Sequence, residues 1–188
     1  MGKLVVLIGP SGSGKTTFRR QHPEWAVICK DEIRRGIFHR DFDLSYEPVI
    51  DRIFSAVLVE AADSPAEVVC VDGMNLTREE RYSLLEVAHL SNREPIAYVM
   101  PILPWEILYE RKQSQLESLT REHPEIVVGG FSRDRYERIY NSYEPVEESE
   151  GFARVFTDVA SEAAPRRKRI RRVRNRVPEL RPLPLFAG

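Results

Sequence analysis

Residues 3–16 read KLVVLIGPSGSGKT, and their pattern predicts the class of fold. Residues 3–8 form a continuous apolar run after Lys3, which is typical of a central strand of a parallel sheet because such a strand is buried on both faces. A Gly- and Ser-rich loop follows at 9–14, and a helix is predicted to begin near Lys15. The strand, the loop and the helix together predict the start of an α/β domain.

The loop matches the pattern GxxxxGK[ST] between a strand and a helix, the context that this pattern requires. Its glycines let backbone N–H groups converge on a polyphosphate, and the helix N-terminus adds its dipole. Lys15 would place a positive charge on the β- and γ-phosphates, and the Thr16 hydroxyl would ligate Mg²⁺. The sequence therefore predicts a site for ATP or GTP with magnesium. The predicted nucleotide-binding residues are Gly9, Ser11, Gly12, Ser13, Gly14, Lys15, Thr16 and Thr17.

The rest of the chain alternates between short apolar runs and helical patterns. Further strands are predicted at 25–29, 68–71, 96–100 and 155–156. Helices are predicted at 47–62, from Thr77, at about 104–119 and from Ser132. In the last of these, Tyr136 and Tyr140 have helical spacing and are predicted to belong to the core. The alternation predicts a parallel sheet with right-handed connections.

Length and composition favour a globular protein. The chain has 188 residues, of which 42% are apolar and 30% charged, and it has no apolar run long enough to span a membrane. Its beginning shows no signal-peptide pattern. Cys29 and Cys70 lie in apolar runs and are predicted to be buried thiols. We expect a cytoplasmic protein that does not contact membranes.

Charge is distributed unevenly along the chain. Residues 165–188 hold nine basic side chains and one acid, whereas the other 164 residues hold 19 basic and 28 acidic side chains. Eight of the basic side chains lie within 166–176 and could neutralise nucleic-acid phosphates. A tail that docks on the acidic body, or one that is disordered, remains the alternative. We expect a folded domain at 1–160 and a basic, Pro-containing tail at 161–188.

The second predicted strand ends at a carboxylate and an arginine one helical turn apart, Asp31 and Arg34. A carboxylate at this edge of the sheet can accept a proton from an acceptor hydroxyl, and the arginine can hold an acceptor phosphate. The alternative is a helix cap by Asp31 and a surface Arg34.

Three further segments carry a resemblance to a known family. They are VDGMNL at 71–76, LPWE at 103–106 and YERK at 109–112. With the loop and the Asp-x-x-Arg pattern, they make residues 3 to about 157 resemble the P-loop kinases of the 5′-polynucleotide kinase type. The resemblance implies a three-layer α/β fold with a five-stranded parallel sheet in the order 2-3-1-4-5, and a helical lid at about 105–135.

The resemblance also implies residue roles. Asp31 would be the general base on a 5′-hydroxyl, and Arg34 would bind the neighbouring phosphate. Asp72 and Asn75 would lie beside the phosphates or the waters of a magnesium ion that Thr16 ligates. Arg111 would reach the transferring phosphate.

The lid departs from the family pattern. Gln115 stands where a second lid arginine is expected, and Arg121, within a longer segment, could supply that charge. Arg78 and Arg81 follow Asn75, where a phosphate contact is one interpretation and an ion pair of Arg81 with Glu47 or Glu80 is the other.

Three functions stay open on the sequence. The first is an ATP-dependent kinase acting on the 5′-hydroxyl of DNA or RNA. The second is a kinase for a small hydroxyl acceptor, such as a sugar acid, a nucleoside or a nucleotide-sugar. The third is a nucleotide-switched or toxin-like module that binds nucleic acid.

Overall fold

The computed structural model describes residues 1–157 and 159, in which one or two helices connect successive strands. The strands are β1 (Lys3–Ile8), β2 (Ala26–Ile28), β3 (Val68–Asp72), β4 (Glu94–Val99) and β5 (Arg154–Phe156). The helices are α1 (Lys15–Arg19), α2 (Lys30–Phe38), α3 (Glu47–Asp63), α4 (Arg78–Leu90), α5 (Trp105–Glu122) and α6 (Arg133–Asn141). A 3-10 turn, Glu148–Glu150, precedes β5.

The strands form a parallel sheet in the order β2-β3-β1-β4-β5, which confirms the predicted order. β1 is the central strand, since Lys3 pairs with Val68 of β3 on one side and with Glu94 of β4 on the other. From Leu4 to Ile8 no residue of β1 is more than 2% exposed. The strand is therefore buried on both faces, as its apolar run predicts.

Helices cover both faces of the sheet. On one face, Leu58 of α3 and Leu84 of α4 pack against apolar side chains of the central strands. On the other face, Phe18 of α1 packs against Trp25 and Tyr98. The result is the predicted three-layer arrangement of helix, sheet and helix.

Two elements extend two or more residues beyond a predicted bound. β4 begins at Glu94 and not at Ile96, because residues 94 and 95 already pair in register with Lys3 and Leu4 of β1. α5 continues to Glu122, three residues beyond the predicted end. An exposed last turn needs no apolar pattern, so the polar residues 120–122 gave no sign that the helix continues.

Nowhere in the described part of the chain is there a helix both long and apolar enough to cross a bilayer. The predicted domain boundary after 160 and the basic tail at 161–188 lie outside the described residues.

The carboxyl ends of β1, β2 and β3 meet at one edge of the sheet, as parallel strands require. The loop at 9–14, the start of α2 and the segment 73–77 follow these three strand ends. This edge is where open α/β sheets bind ligands.

Candidate active site

The loop at 9–14 turns back over the end of β1 through backbone angles that favour glycine. Gly12 and Gly14 have φ values of +82° and +101°, in the left-handed region. The Gly9 amide donates to the Met74 carbonyl at 2.9 Å, which fastens the loop to the segment after β3. Within the described residues, the buried Ser13 Oγ has no hydrogen-bond partner, so a ligand in the loop would satisfy it.

Lys15 lies inside this loop and is only 8% exposed. Its Nζ donates to the Gly9 carbonyl at 2.6 Å and to the Pro10 carbonyl at 2.8 Å. Burial lowers the pKa of the Lys15 ammonium to about 8, against the opposing effects of Asp72 and Asp31. The loop therefore surrounds a desolvated cation that faces two carboxylates.

Asp72 ends β3 beside the first turn of α1 and is buried. The Thr16 hydroxyl donates to Asp72 Oδ2 at 3.4 Å, and Arg19 Nε lies 2.9 Å from the same oxygen. Burial raises the pKa of the Asp72 carboxyl, and the nearby Lys15 and Arg19 oppose that rise. The predicted pair of metal-associated residues, Thr16 and Asp72, is thus brought together.

Asp31 and Arg34 lie on the first turns of α2, and the Arg34 guanidinium contacts the Asp31 carboxylate. Glu47, at the start of α3, accepts from Arg34 Nε at 2.8 Å and from Nη2 at 2.6 Å. Burial opposes the Arg34 charge most strongly, but the hydrogen bonds to Glu47 and the negative charges of Asp31, Glu47 and Asp41 together outweigh it, so the pKa of Arg34 is raised. Arg34 is a fixed cation between two carboxylates, and Asp31 keeps about half of its side chain exposed.

The segment after β3 is fastened to the sheet by Asn75. This residue has a φ of +50°, and its Nδ2 donates to the Leu7 carbonyl at 2.7 Å. Arg78, at the start of α4, is paired with Glu147 at 2.7 Å and is about half exposed. Asn75 thus lies at the site edge of the sheet, whereas Arg78 pairs with the segment that follows α6.

The two lid arginines lie at different heights on α5, Arg111 in the first half of the helix and Arg121 in its last turn. A cavity of about 560 Å³ lies between this helix and the loop. Its lining residues are Gly12, Gly14, Thr17, Ile107, Glu110, Arg111, Ser114 and Gln115. Arg121 is ten residues beyond Arg111, or about 15 Å along the helix axis, and its side chain is 73% exposed. The structure brings Arg111 to the loop and does not bring Arg121 there.

The sequence did not predict two contacts at this edge. Arg81 is buried, and Glu150 accepts from its guanidinium at 2.7 and 2.8 Å, so the expected ion pair with Glu47 or Glu80 does not form. The Tyr136 hydroxyl donates to the Ser11 carbonyl at 2.6 Å, so this core residue also touches the loop. Helical spacing indicates burial of both side chains, but it carries no information about partners so distant in sequence.

The sheet order, with a GxxxxGK[ST] loop after the central strand, defines a P-loop protein with the kinase-type fold. Residues 4–135 match the AAA domain family, and the chain belongs to that family. A comparison with curated protein sequences finds no match.

Solved structures share the fold at low sequence identity. A putative kinase from Chloroflexus aurantiacus has a TM-score of 0.61 at 14% identity, with 84% of this chain and 87% of that chain covered. Kti12 from Chaetomium thermophilum, solved with ADP-AlF3, has a TM-score of 0.55 at 19% identity, with 82% and 87% covered. A chain of the Pnkp1/Rnl/Hen1 RNA repair complex has a TM-score of 0.56 at 20% identity, with 81% and 50% covered. This chain therefore spans half the length of that RNA repair protein.

Proposed function

We propose that this protein is an ATP-dependent kinase that transfers the γ-phosphate to the 5′-hydroxyl of a polynucleotide. The observation that carries the proposal is the convergence of Lys15, Asp31 and Asp72 at one edge of the sheet, where both carboxylates act on the Lys15 ammonium. A buried cation supports phosphate binding, and a half-exposed carboxylate beside it supports proton transfer from an acceptor.

The donor side of the site consists of the loop and α1. Backbone N–H groups of 9–14 and the Lys15 ammonium would hold the β- and γ-phosphates of ATP. The Thr16 hydroxyl and the Asp72 carboxylate are hard oxygen ligands that lie close together and fit a magnesium ion, Asp72 through a water. Magnesium, when bound, neutralises charge on the phosphate oxygens.

The acceptor side is built on the first turns of α2. In the proposed step, the acceptor oxygen bonds to the γ-phosphorus while the bond to the β–γ bridging oxygen breaks and ADP leaves. The proton of the acceptor hydroxyl goes to the Asp31 carboxylate. Glu47 engages Nε and Nη2 of Arg34, which leaves Nη1 for Asp31 and for an acceptor phosphate.

The remaining assignments differ in their support. The position of Asn75 at the site edge supports a place beside the acceptor, whereas the ion pair of Arg78 with Glu147 disfavours acceptor binding by Arg78. Proximity to the loop favours Arg111 over Arg121 as the arginine that reaches the transferring phosphate. A polynucleotide acceptor is supported by the positive charge of 166–176 and by the fold similarity to a protein of an RNA repair complex.

The proposal is tested by incubating the full chain with Mg²⁺, γ-labelled ATP and short DNA or RNA carrying a 5′-hydroxyl. We expect label at the 5′ end, and none on oligonucleotides that already carry a 5′-phosphate. Transfer to small hydroxyl acceptors but to neither oligonucleotide would overturn the polynucleotide acceptor and leave the assignment as a kinase intact. ATP hydrolysis without transfer to any hydroxyl would overturn both the polynucleotide acceptor and the kinase activity.

A further inference from the structure

The phosphate-binding loop is held by a hydroxyl from the lid as well as by its own lysine. Tyr136 of α6 is only 2% exposed and donates from its hydroxyl to the Ser11 carbonyl at 2.6 Å. The Tyr136 ring is fixed by edge contacts with Tyr109 and Phe131, at centroid distances of 5.5 and 5.7 Å. The hydroxyl therefore has little freedom to point elsewhere.

The other lid helix touches the loop at the next residue. A Cβ placed on Gly12 would lie 2.5 Å from the Leu108 carbonyl oxygen and 3.3 Å from Arg111 Cβ. Helices α5 and α6 thus meet the loop at Ser11 and Gly12, the two residues that share one peptide group. Contact at both ends of this peptide restricts its rotation.

The direction of that peptide matters for phosphate binding. In the trans peptide between Ser11 and Gly12, the carbonyl and the N–H point to opposite sides. The carbonyls of Gly9 and Pro10 accept from Lys15, while the Ser11 carbonyl accepts from Tyr136. The Gly12 N–H makes no hydrogen bond among residues 1–157, so it is available to donate to a ligand.

We propose that Tyr136 is a positioning residue that orients the Ser11–Gly12 peptide so that the Gly12 N–H faces the nucleotide phosphates. The inference rests on the proposed function only for its nucleotide site and is independent of the acceptor. Without the tyrosine hydroxyl, the Ser11 carbonyl loses its partner and the peptide can rotate toward water. Nucleotide affinity falls as a consequence, whereas acceptor affinity does not.

The test compares Tyr136→Phe with Tyr109→Phe in the full chain. Tyr109 is the matched control, because its hydroxyl also donates to a carbonyl, that of Phe131 at 3.2 Å, but within the lid. The readouts are the Kd of Mg²⁺ with a non-hydrolysable ATP analogue, measured by calorimetry, and the melting temperature without nucleotide. We expect Tyr136→Phe to weaken binding by about three- to tenfold, and Tyr109→Phe to leave the Kd within about twofold of wild type.

Two results would overturn the inference. They are an unchanged Kd in Tyr136→Phe, whether or not its melting temperature falls, and an equal loss of affinity in both variants. If the wild-type chain itself binds no analogue, the proposed nucleotide site fails, which is distinguishable from failure of the Tyr136 role alone. In the transfer assay, the KM for ATP should rise in Tyr136→Phe and the KM for the acceptor should stay constant.

Discussion

At the scale of single residues, the charged groups of the site have partners within the protein itself. The Lys15 ammonium donates to two carbonyls of its own loop, which leaves one of its three donors for a phosphate oxygen. Because those carbonyls are neutral, a phosphate oxygen is a stronger acceptor and can replace them. Arg34 differs, since Glu47 holds it by two charge-assisted hydrogen bonds. Lys15 is therefore the group expected to move, and Arg34 the group expected to stay.

Arg81 and Glu150 form a buried ion pair that supports the segment after β3. Their side chains are 0% and 2% exposed, and Arg81 Nη1 also donates to the Leu76 carbonyl at 2.8 Å. Burial alone would raise the pKa of Glu150, but the hydrogen bonds from Arg81 and from the Glu147 amide, together with the charges of Arg81 and Arg78, outweigh it, so the pKa is lowered. A carboxyl with a lowered pKa stabilises the fold above its unfolded-state pKa, and this stabilisation is lost as the pH falls through its folded-state pKa.

We expect Glu150→Gln to lower the free energy of unfolding at pH 7 by about 3 kcal/mol, because it leaves the Arg81 charge buried without a counter-charge. The difference from wild type should shrink below about pH 4.3, where the unfolded carboxyl becomes protonated. Urea unfolding at several pH values measures this difference in the free energy of unfolding. The control is Glu148→Gln, a substitution at an exposed residue. A difference that grows on acidification would contradict this account.

At the scale of elements, the lid helices and the loop fit closely at one glycine. Gly12 combines a φ of +82° with the close approach of the α5 backbone. Gly36, in the exposed part of α2, has open surroundings, since a Cβ placed there would meet nothing within 4 Å. The backbone angle and close packing at Gly12 therefore require a glycine, whereas the position of Gly36 does not.

We expect Gly12→Ala to weaken binding of Mg²⁺–ATP by about tenfold or more, because the added methyl strains the loop and displaces α5. Gly36→Ala should instead raise the free energy of unfolding by about 0.5 to 1 kcal/mol through helix propensity. Calorimetry of nucleotide binding and urea unfolding, each applied to both variants, measure these two effects. Normal nucleotide binding by Gly12→Ala would show that the contact with Leu108 is not needed.

The sequence predicted those features that short, contiguous patterns of residues indicate. The loop, Asp31 and the strand order follow from contiguous patterns or from the family resemblance that they carry, and the structure places the loop and Asp31 at one edge. The contacts of Tyr136 with Ser11 and of Arg81 with Glu150 join residues 125 and 69 positions apart. Helical periodicity indicates that such side chains are buried, but the tertiary fold alone decides which polar group they meet.

At the scale of the whole molecule, an acidic body carries a basic tail. The tail lies outside the described residues, so its role stays a prediction from charge. A polyanionic acceptor would be repelled by the net negative body and attracted by 166–176, whose eight basic side chains can displace counterions from a strand. The affinity for a small acceptor would depend little on this basic segment.

We expect deletion of 165–188 to raise the KM for a 5′-hydroxyl oligonucleotide by about tenfold near 0.1 M salt and to make its salt dependence shallower. The KM for ATP serves as the internal control and should not change. The measurement is a series of transfer rates at increasing salt concentrations for both chains. An unchanged KM and salt slope would exclude the tail from acceptor binding.

Asp31 is the residue proposed to accept the proton of the acceptor hydroxyl during transfer from ATP. The most direct test of this role is the single-turnover rate of 5′-phosphorylation by Asp31→Asn, beside Glu32→Gln, which alters the adjacent, largely exposed carboxylate that pairs with Arg19. We expect the rate to fall about 10²- to 10⁴-fold in Asp31→Asn with the Kd for ATP nearly unchanged, and to stay near normal in Glu32→Gln. A normal transfer rate in Asp31→Asn would contradict it.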